Sequence, residues 1–300
     1  MEKIHLSKEV SISRIVHGMW RLQEWNYTNE QTLSFMEQCL EMGVTTFDHA
    51  DIYGNYMVEG KFGEALALKP SLRDEMELVT KCGIKLISSN RPEHKIKYYD
   101  TSKEHIMWSV EKSLKNFRTE YLDLLLIHRP DPFMNPEEIA EAFTALKESG
   151  KVKSFGVSNF KPAAYQLLNS YLDFPLVTNQ IEISATHLEH FEAGTIELCQ
   201  QERVSPMAWS PLGGGSIFTS QEAGVVRVRN VLEQIKEEIG AASIDQVLYA
   251  WLLAHPAKII PIVGSGKIER VKAAVESTEL SLSRQQWFEI YEAYRGREVD

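Results

Sequence analysis

The sequence predicts a closed (β/α)8 barrel, and three observations carry that prediction. Short apolar, β-branched runs alternate along the whole chain with amphipathic stretches of helical length, the pattern of parallel βα units. Eight such units fit within the 300 residues, the complement that a closed barrel requires. The first core strand ends Gly18-Met19-Trp20 and lacks the GxGxxG turn expected of an open, doubly wound sheet. A β-hairpin is expected before the barrel and extra helices at its C-terminal end. No linker separates two halves, so residues 1–300 read as a single domain.

Each element has its own justification. Lys3-Ile4-His5-Leu6 and Val10-Ser11-Ile12 alternate around Ser7-Lys8-Glu9, as a hairpin does. Ile15 to Met19 is the first core strand. Thr28 to Met42 is amphipathic, with Thr28 and Gln31 spaced as a capping box and Gly43 as the stop. The second strand is Val44 to Phe47 and leads through Asp48-His49-Ala50-Asp51-Ile52-Tyr53-Gly54 into a helix over 61–68. Glu77 to Lys81 is the third strand, followed by a polar loop over 85–100 and a helix capped by Thr101 or Ser102 that runs to Leu114. Tyr121 to Ile127 is the fourth strand, apolar almost throughout as a strand buried on both faces should be, and it ends in His128-Arg129-Pro130-Asp131-Pro132. Pro136 suits the first turn of a helix reaching Glu148. Strand five is expected at 154–157, ending in Ser158-Asn159, with a helix at 162–168. Strand six is expected at 176–180, with a helix at 195–202. Strand seven spans 206–209 and ends in Ser210-Pro211-Leu212-Gly213-Gly214-Gly215. Helices at 229–239 and 243–254, strand eight at 258–262 and helices at 268–275 and 283–294 close the chain.

Composition narrows the function. A net charge of −10 argues against general nucleic-acid or anionic-membrane binding, though a small anionic cofactor needs only a local basic pocket. The first ten residues carry no apolar run of signal-peptide length, and no stretch approaches the ~18–20 apolar residues of a membrane span. A cytoplasmic protein without nucleic-acid or membrane partners is expected, monomeric or weakly self-associating. Cys39, Cys82 and Cys199 are far apart and odd in number, with no CxxC pair, so neither a disulfide framework nor a zinc site is expected. The alternative of a reactive Cys82 thiol beside Lys81 is the weaker one.

The polar residues at the inferred strand ends suggest chemistry, because barrel active sites lie at the carboxyl ends of the strands. Tyrosine is a poor acid, with a reference pKa of about 10. A neighbouring ammonium, Lys81, favours the phenolate of Tyr53, and Asp48 holds that ammonium in place. His128 can donate a hydrogen bond to a substrate carbonyl. The four form a workable set for protonating an oxygen while a nicotinamide cofactor supplies a hydride. Taken singly, each has a plainer reading: a structural ion pair, a packed tyrosine, a core histidine.

Phe47-Asp48-His49-Ala50-Asp51-Ile52-Tyr53-Gly54, Thr80-Lys81, Leu126-Ile127-His128, Gly156-Val157-Ser158-Asn159-Phe160, Asn179-Gln180, Trp209 to Gly215 and Pro261-Ile262-Val263-Gly264-Ser265 resemble, in order and across nearly the whole chain, the signatures of the aldo-keto reductases. The likeness is to a bacterial branch of general oxidoreductases related to potassium-channel β subunits. It implies a metal-free, NAD(P)H-dependent reductase of aldehyde or ketone carbonyls on a TIM barrel. Tyr53 is then the general acid, tuned by Lys81 and Asp48, and His128 orients the carbonyl. Ser158, Asn159 and Gln180 are implied to bind the nicotinamide carboxamide, Trp209 to stack on its ring, and Ser210, Leu212 and Gly213 to offer main-chain groups to the pyrophosphate.

At the adenosine end Gly264 stands where some members carry lysine, and Ala274 where some carry asparagine, while Ser265, Lys267 and Arg270 remain. Arg270 suits a bidentate grip on a 2′-phosphate and Lys267 adds charge, so NADPH is expected over NADH, with NADH possible. Trp20, and alternatively Trp25, Tyr56 and Phe133, could wall an apolar substrate pocket. The short tail after Tyr294 suggests an open site, since long tails help to close it in other members. Two rivals deserve tests. A metal-dependent barrel hydrolase would use Asp48, His49, Asp51 and His128 as ligands. A regulatory module of the channel β-subunit type would keep barrel and cofactor but serve a partner protein.

Overall fold

The computed structural model describes all residues, Met1–Asp300. The hairpin forms from β1 (Lys3–His5) and β2 (Ser11–Ser13), antiparallel with Ile4 opposite Ile12. Three further strands follow, β3 (Val16–Gly18), β4 (Thr46–Asp48) and β5 (Glu77–Cys82). A small antiparallel ribbon, β6 (Ile84–Lys85) with β7 (Tyr98–Tyr99), interrupts the loop expected over 85–100. Then come β8 (Leu122–Ile127), β9 (Val152–Ser158), β10 (Asn179–Glu182), β11 (Met207–Trp209) and β12 (Ile260–Val263). The strands β3, β4, β5, β8, β9, β10, β11 and β12 pair in parallel and close through β12 on β3, with Ile262 opposite Val16. This is a (β/α)8 barrel with an N-terminal hairpin and extra helices, as the alternating pattern predicts.

Two cores follow from the period-two alternation of each barrel strand. Inward-facing Val16, Val79, Leu124, Leu126, Met207, Ile260 and Ile262 cluster with Ile4, Val10 and Ile12, so the hairpin plugs one end of the barrel. Outward-facing Phe47, Leu78, Leu125, Ile127, Phe155 and Val157 pack against the surrounding helices. The same parity sets the chemistry. Asp48 is two residues from inward Thr46, Lys81 two from Val79, His128 two from Leu126, Ser158 two from Gly156 and Trp209 two from Met207. Each of these residues is the next inward position after a layer built mainly of apolar side chains, Thr46 being its polar member. Gly156 is required by that layer, since a Cβ there would lie 2.8 Å from both the Leu126 side chain and the Thr178 carbonyl.

Several boundaries differ from expectation. The Thr28–Gln31 capping box forms as predicted and starts the helix Asn29–Glu41. The helix expected at 61–68 starts earlier, at Val58, because the outward Val58 and Glu59 are buried and extend its packed face. Ser102, not Thr101, caps the helix Lys103–Phe117. The sixth barrel strand is displaced from 176–180 to Asn179–Glu182. Val177 and Thr178 still bond to the β9 backbone, but Gln180 to Glu182 carry the ladder to β11. The helix expected from 229 begins at Ala223, burying Val225 as well as Val228 and Leu232. No helix is long and apolar enough to cross a membrane.

Candidate active site

The carboxyl ends of β4, β5 and β8 bring the four predicted residues together. Lys81 Nζ donates to Asp48 Oδ2 at 2.8 Å, to the His49 carbonyl at 2.6 Å and to the Tyr53 hydroxyl at 3.1 Å. Both members of the ion pair are buried, with 0% and 4% of their side chains exposed. The His128 ring stands edge-on to Tyr53, centroids 5.9 Å apart. Tyr53 reaches this position through a strained turn: Gly54, Asn55 and Tyr56 all have positive φ, at 54°, 56° and 69°. Two non-glycine residues in that region cost about 1–3 kcal/mol each, and the packing around the turn must outweigh it. Asn90 bonds to the Asn55 carbonyl and the Leu86 amide to the Tyr56 hydroxyl, which hold the turn from the other side.

Electrostatics corrects one expectation. Burial raises the Tyr53 phenol above its usual range, and the Lys81 ammonium only partly opposes it. Burial likewise works against the Lys81 charge, but Asp48 and Tyr53 outweigh it and the ammonium is held more firmly than usual. His128 is pushed well below the ordinary imidazole range by burial and by Lys81, Arg129 and Lys97, so it is neutral at pH 7. The site therefore holds a protonated phenol, a charged ammonium and a neutral imidazole.

A second group of predicted residues forms one hydrogen-bonded arc beside the first. Gln180 Nε2 donates to Asp48 Oδ1 at 2.8 Å, and Ser158 Oγ to the Gln180 carbonyl at 2.8 Å. Asn159 Nδ2 donates to Ser158 Oγ at 2.8 Å and to the His128 carbonyl at 3.3 Å. Trp209 Nε1 donates to Asn159 Oδ1 at 3.0 Å, which fixes the plane of the indole. Asn159 and Ser210 both adopt left-handed backbone, φ 61° and 51°. Beyond them Gly213 is held at φ 59°, and a Cβ there would lie 2.7 Å from Ser216 Oγ and Thr186 Oγ1, so those side chains would have to move. Leu212 opens the glycine turn Gly213–Gly215.

At the far end, Gly264 is exposed with open space where a Cβ would be. Ser265 accepts from the Lys267 amide, and its carbonyl is hydrogen-bonded to buried His17 at 2.9 Å. Lys267 and Arg270 begin the helix Ile268–Glu276, both exposed and neither in an ion pair. Trp20 is 58% exposed with its ring 6.5 Å from Tyr53, so it stands at the mouth. Phe133, a further candidate from the loop after β8, is exposed and packs on no other ring. Trp25 instead packs on Phe35 and Tyr27 and under Gly266, a core role.

The rival metal set does not converge. Asp48 is engaged by Lys81 and Gln180, while the His49 ring is buried edge-on to Phe62 and Phe117 at 4.5 and 4.9 Å. No group of three or more His, Cys, Asp and Glu side chains could hold a metal ion. All three cysteines are buried and unpaired, and burial raises Cys82 well above the usual thiol range, against a reactive role.

Sequence reasoning missed two features. Glu59 lies buried beneath the site, accepting from Thr80, Ser113 and Asn116. Its spacing of six residues after Tyr53, in an otherwise apolar helix face, was the available signal. Arg129 follows His128 directly, and its guanidinium lies 5.7 Å above the Trp209 ring.

The comparisons with known proteins agree with this geometry. The model of the "Aldo/keto reductase family" matches residues 14–295. The chain is 57% identical over 299 residues to the uncharacterized oxidoreductase YcsN of Bacillus subtilis, covering 100% of both. It is 45% identical over 300 residues to the 6-dehydroglucose reductase of Agrobacterium fabrum, again covering 100% of both. Among solved structures it is similar to an aldo/keto reductase from Klebsiella pneumoniae in complex with NADP and acetate. The TM-score is 0.80 at 23% identity, covering 99% of this chain and 97% of that one. An eight-stranded barrel of this order, with Asp48, Tyr53, Lys81 and His128 at its mouth, and a family match over nearly its whole length lead to one assignment: the chain is an oxidoreductase of the aldo/keto reductase family.

Proposed function

We propose that the protein reduces aldehyde or ketone carbonyls with NADPH, and that Tyr53 donates the proton. The observation that carries the reading is the simultaneous contact of Lys81 Nζ with Asp48 and Tyr53, beside a neutral His128. Burial keeps the proton on the phenol in the resting site. As the carbonyl oxygen takes that proton, the nascent phenolate meets the ammonium 3.1 Å away, and Asp48 keeps the ammonium from losing its own proton. The neutral imidazole of His128 orients the carbonyl with an N–H donor, without competing as a stronger acid.

The residues present fit a dinucleotide. The indole of Trp209, locked by Asn159, offers a flat face, Ser158 and Asn159 place hydroxyl and amide groups beside it, and Gln180 continues the same hydrogen-bonded arc towards Asp48. The turn Gly213–Gly215, all three glycines at positive φ and Gly214 and Gly215 with open space where a Cβ would be, lets backbone approach a pyrophosphate. Lys267 and Arg270, both free of ion pairs at a helix start, suit a 2′-phosphate and favour NADPH over NADH. When bound, NADPH supplies the hydride that no side chain can. The reductase named in one relative and the NADP in one structural neighbour support the reading.

Tyr53→Phe tests it. The variant loses the hydroxyl but keeps the ring packed near Trp20 and His128, so turnover should fall roughly 10²–10⁴-fold while NADPH affinity stays within about twofold. Near-normal turnover would remove Tyr53 from its role. Tight NADPH binding without turnover of any aldehyde, ketone or dicarbonyl by the unaltered protein would favour a binding module instead.

A further inference from the structure

We propose that Arg129 is a receptor for a carboxylate on the substrate, so that the preferred substrates are carbonyl compounds carrying an acid group. The inference rests on the carbonyl-reductase reading and names the substrate class of that same site. It starts from a guanidinium that bonds to no protein group. Arginines that are buried or partly buried in this protein have protein partners. Arg14 donates to the carbonyls of Ile259 and Leu253. Arg73 donates to Thr119, two carbonyls and Asp123. Arg91 bonds to the Asn90 carbonyl, Arg229 to those of Ile217 and Ser220, and Arg295 pairs with Glu192 and Asp300. Arg129 is partly buried too, yet it has no hydrogen bond and no ion pair, only the Trp209 ring below it.

The acids near it are occupied. Asp131, two residues on, accepts from Thr101 Oγ1 at 2.9 Å and from the Phe133 amide at 2.8 Å. Asp48 is held by Lys81 and Gln180. Meanwhile two exposed cations stand on the same rim without ion pairs: Arg21, lying over Trp20, and Lys97, whose charge reaches His128. In a chain of net charge −10, a mouth left with uncompensated positive charge is a local reversal. A planar guanidinium in a partly desolvated position discriminates for carboxylates through paired, charge-assisted N–H bonds. Its position follows from the chain. Arg129 comes directly after His128, which faces the carbonyl, and over Trp209. An acid group there would lie on the same molecule as the reacting carbonyl.

The test uses the full chain with NADPH and two aldehydes of similar shape, 4-carboxybenzaldehyde and its neutral methyl ester, methyl 4-formylbenzoate. The unaltered protein should turn over the acid with a kcat/KM at least tenfold higher, and the ratio should fall with added salt. Arg129→Gln should collapse the ratio towards one, mainly through a higher KM for the acid. Arg129→Lys, which keeps the charge but loses the fork, should restore part of it. A ratio near one in the unaltered protein, with both aldehydes reduced, would overturn the assignment of Arg129 and leave the reductase reading intact. A ratio unchanged in Arg129→Gln while the Kd for NADPH rises tenfold would overturn it in favour of a cofactor phosphate contact. Failure to reduce either aldehyde, or any other carbonyl, would overturn the reductase reading and this one with it.

Discussion

The buried pair of Lys81 and Asp48 makes a sharp prediction, because stability and activity should separate. Both charges lie within the barrel, 2.8 Å apart, and both side chains are almost wholly removed from water. Taking away one partner leaves the other charge buried and uncompensated, which costs about 3–5 kcal/mol. With an unfolding entropy of ~2.1 cal/mol/K per residue, a 300-residue chain loses roughly 5–8 °C in Tm for that change. Asp48→Asn and Lys81→Met should each show a loss of this size. The double variant removes both charges, so it should recover most of it, since replacing a whole buried pair is often near neutral. Turnover should not recover. Without the ammonium the phenolate has no counter-charge at 3.1 Å, and the double variant should stay at least ~100-fold slow in carbonyl reduction. Thermal unfolding and single-turnover reduction on the four proteins would check both halves. A double variant destabilised by the full sum of the singles would show that the pair is not a coupled unit. One that regained turnover would show that the ammonium does not act on Tyr53.

Other expectations follow from single features of the structure. Asp51 is partly buried with its carboxylate enclosed near Glu59, Oδ2 accepting from Ser109 and Oδ1 without a partner, and this desolvation raises its carboxyl to about 8. The folded state therefore keeps a proton that the unfolded state releases above about pH 4, and stability falls as pH rises from there to about 8. Asp51→Asn should remove that loss: its Tm advantage over the unaltered protein should grow across this window, and a constant difference from pH 5 to 8 would contradict the buried neutral carboxyl. Removing the charges of Lys267 and Arg270 should raise the NADPH Kd by about tenfold or more and leave the NADH Kd nearly unchanged. Equal weakening of both cofactors in titrations would remove the 2′-phosphate contact.

Much of the fold was readable because a barrel repeats one simple pattern. The fourth barrel strand is apolar from Leu124 to Ile127 because both its faces are covered, and its polar neighbour His128 marks the end. The capping box of Thr28 and Gln31 sets a helix start through local bonds alone. Elements whose limits depend on partners elsewhere were less legible. The ribbon of β6 and β7 has only two residues per strand, too short for a period to show. The sixth barrel strand shifted because register is set by pairing with β9 and β11, and its own residues allow either frame.

The candidate site divides in the same way. Polar residue types at strand ends are properties of the sequence, so Asp48, Lys81, His128, Ser158 and Gln180 could be picked out from it, while the roles of Ser158, Gln180 and Trp209 towards a cofactor came only from the resemblance of their motifs to a known family. Protonation could not be read there. A lysine at the end of the next strand suggests a lowered tyrosine pKa, but desolvation in the closed barrel is large enough to reverse the direction. Nor could sequence show that Gln180 bonds to Asp48 from 132 positions away, or that partly buried Arg129 is left without a hydrogen-bond partner when the other buried and partly buried arginines have one. Desolvation and pairing depend on everything that surrounds a group, and only the closed barrel decides what that is.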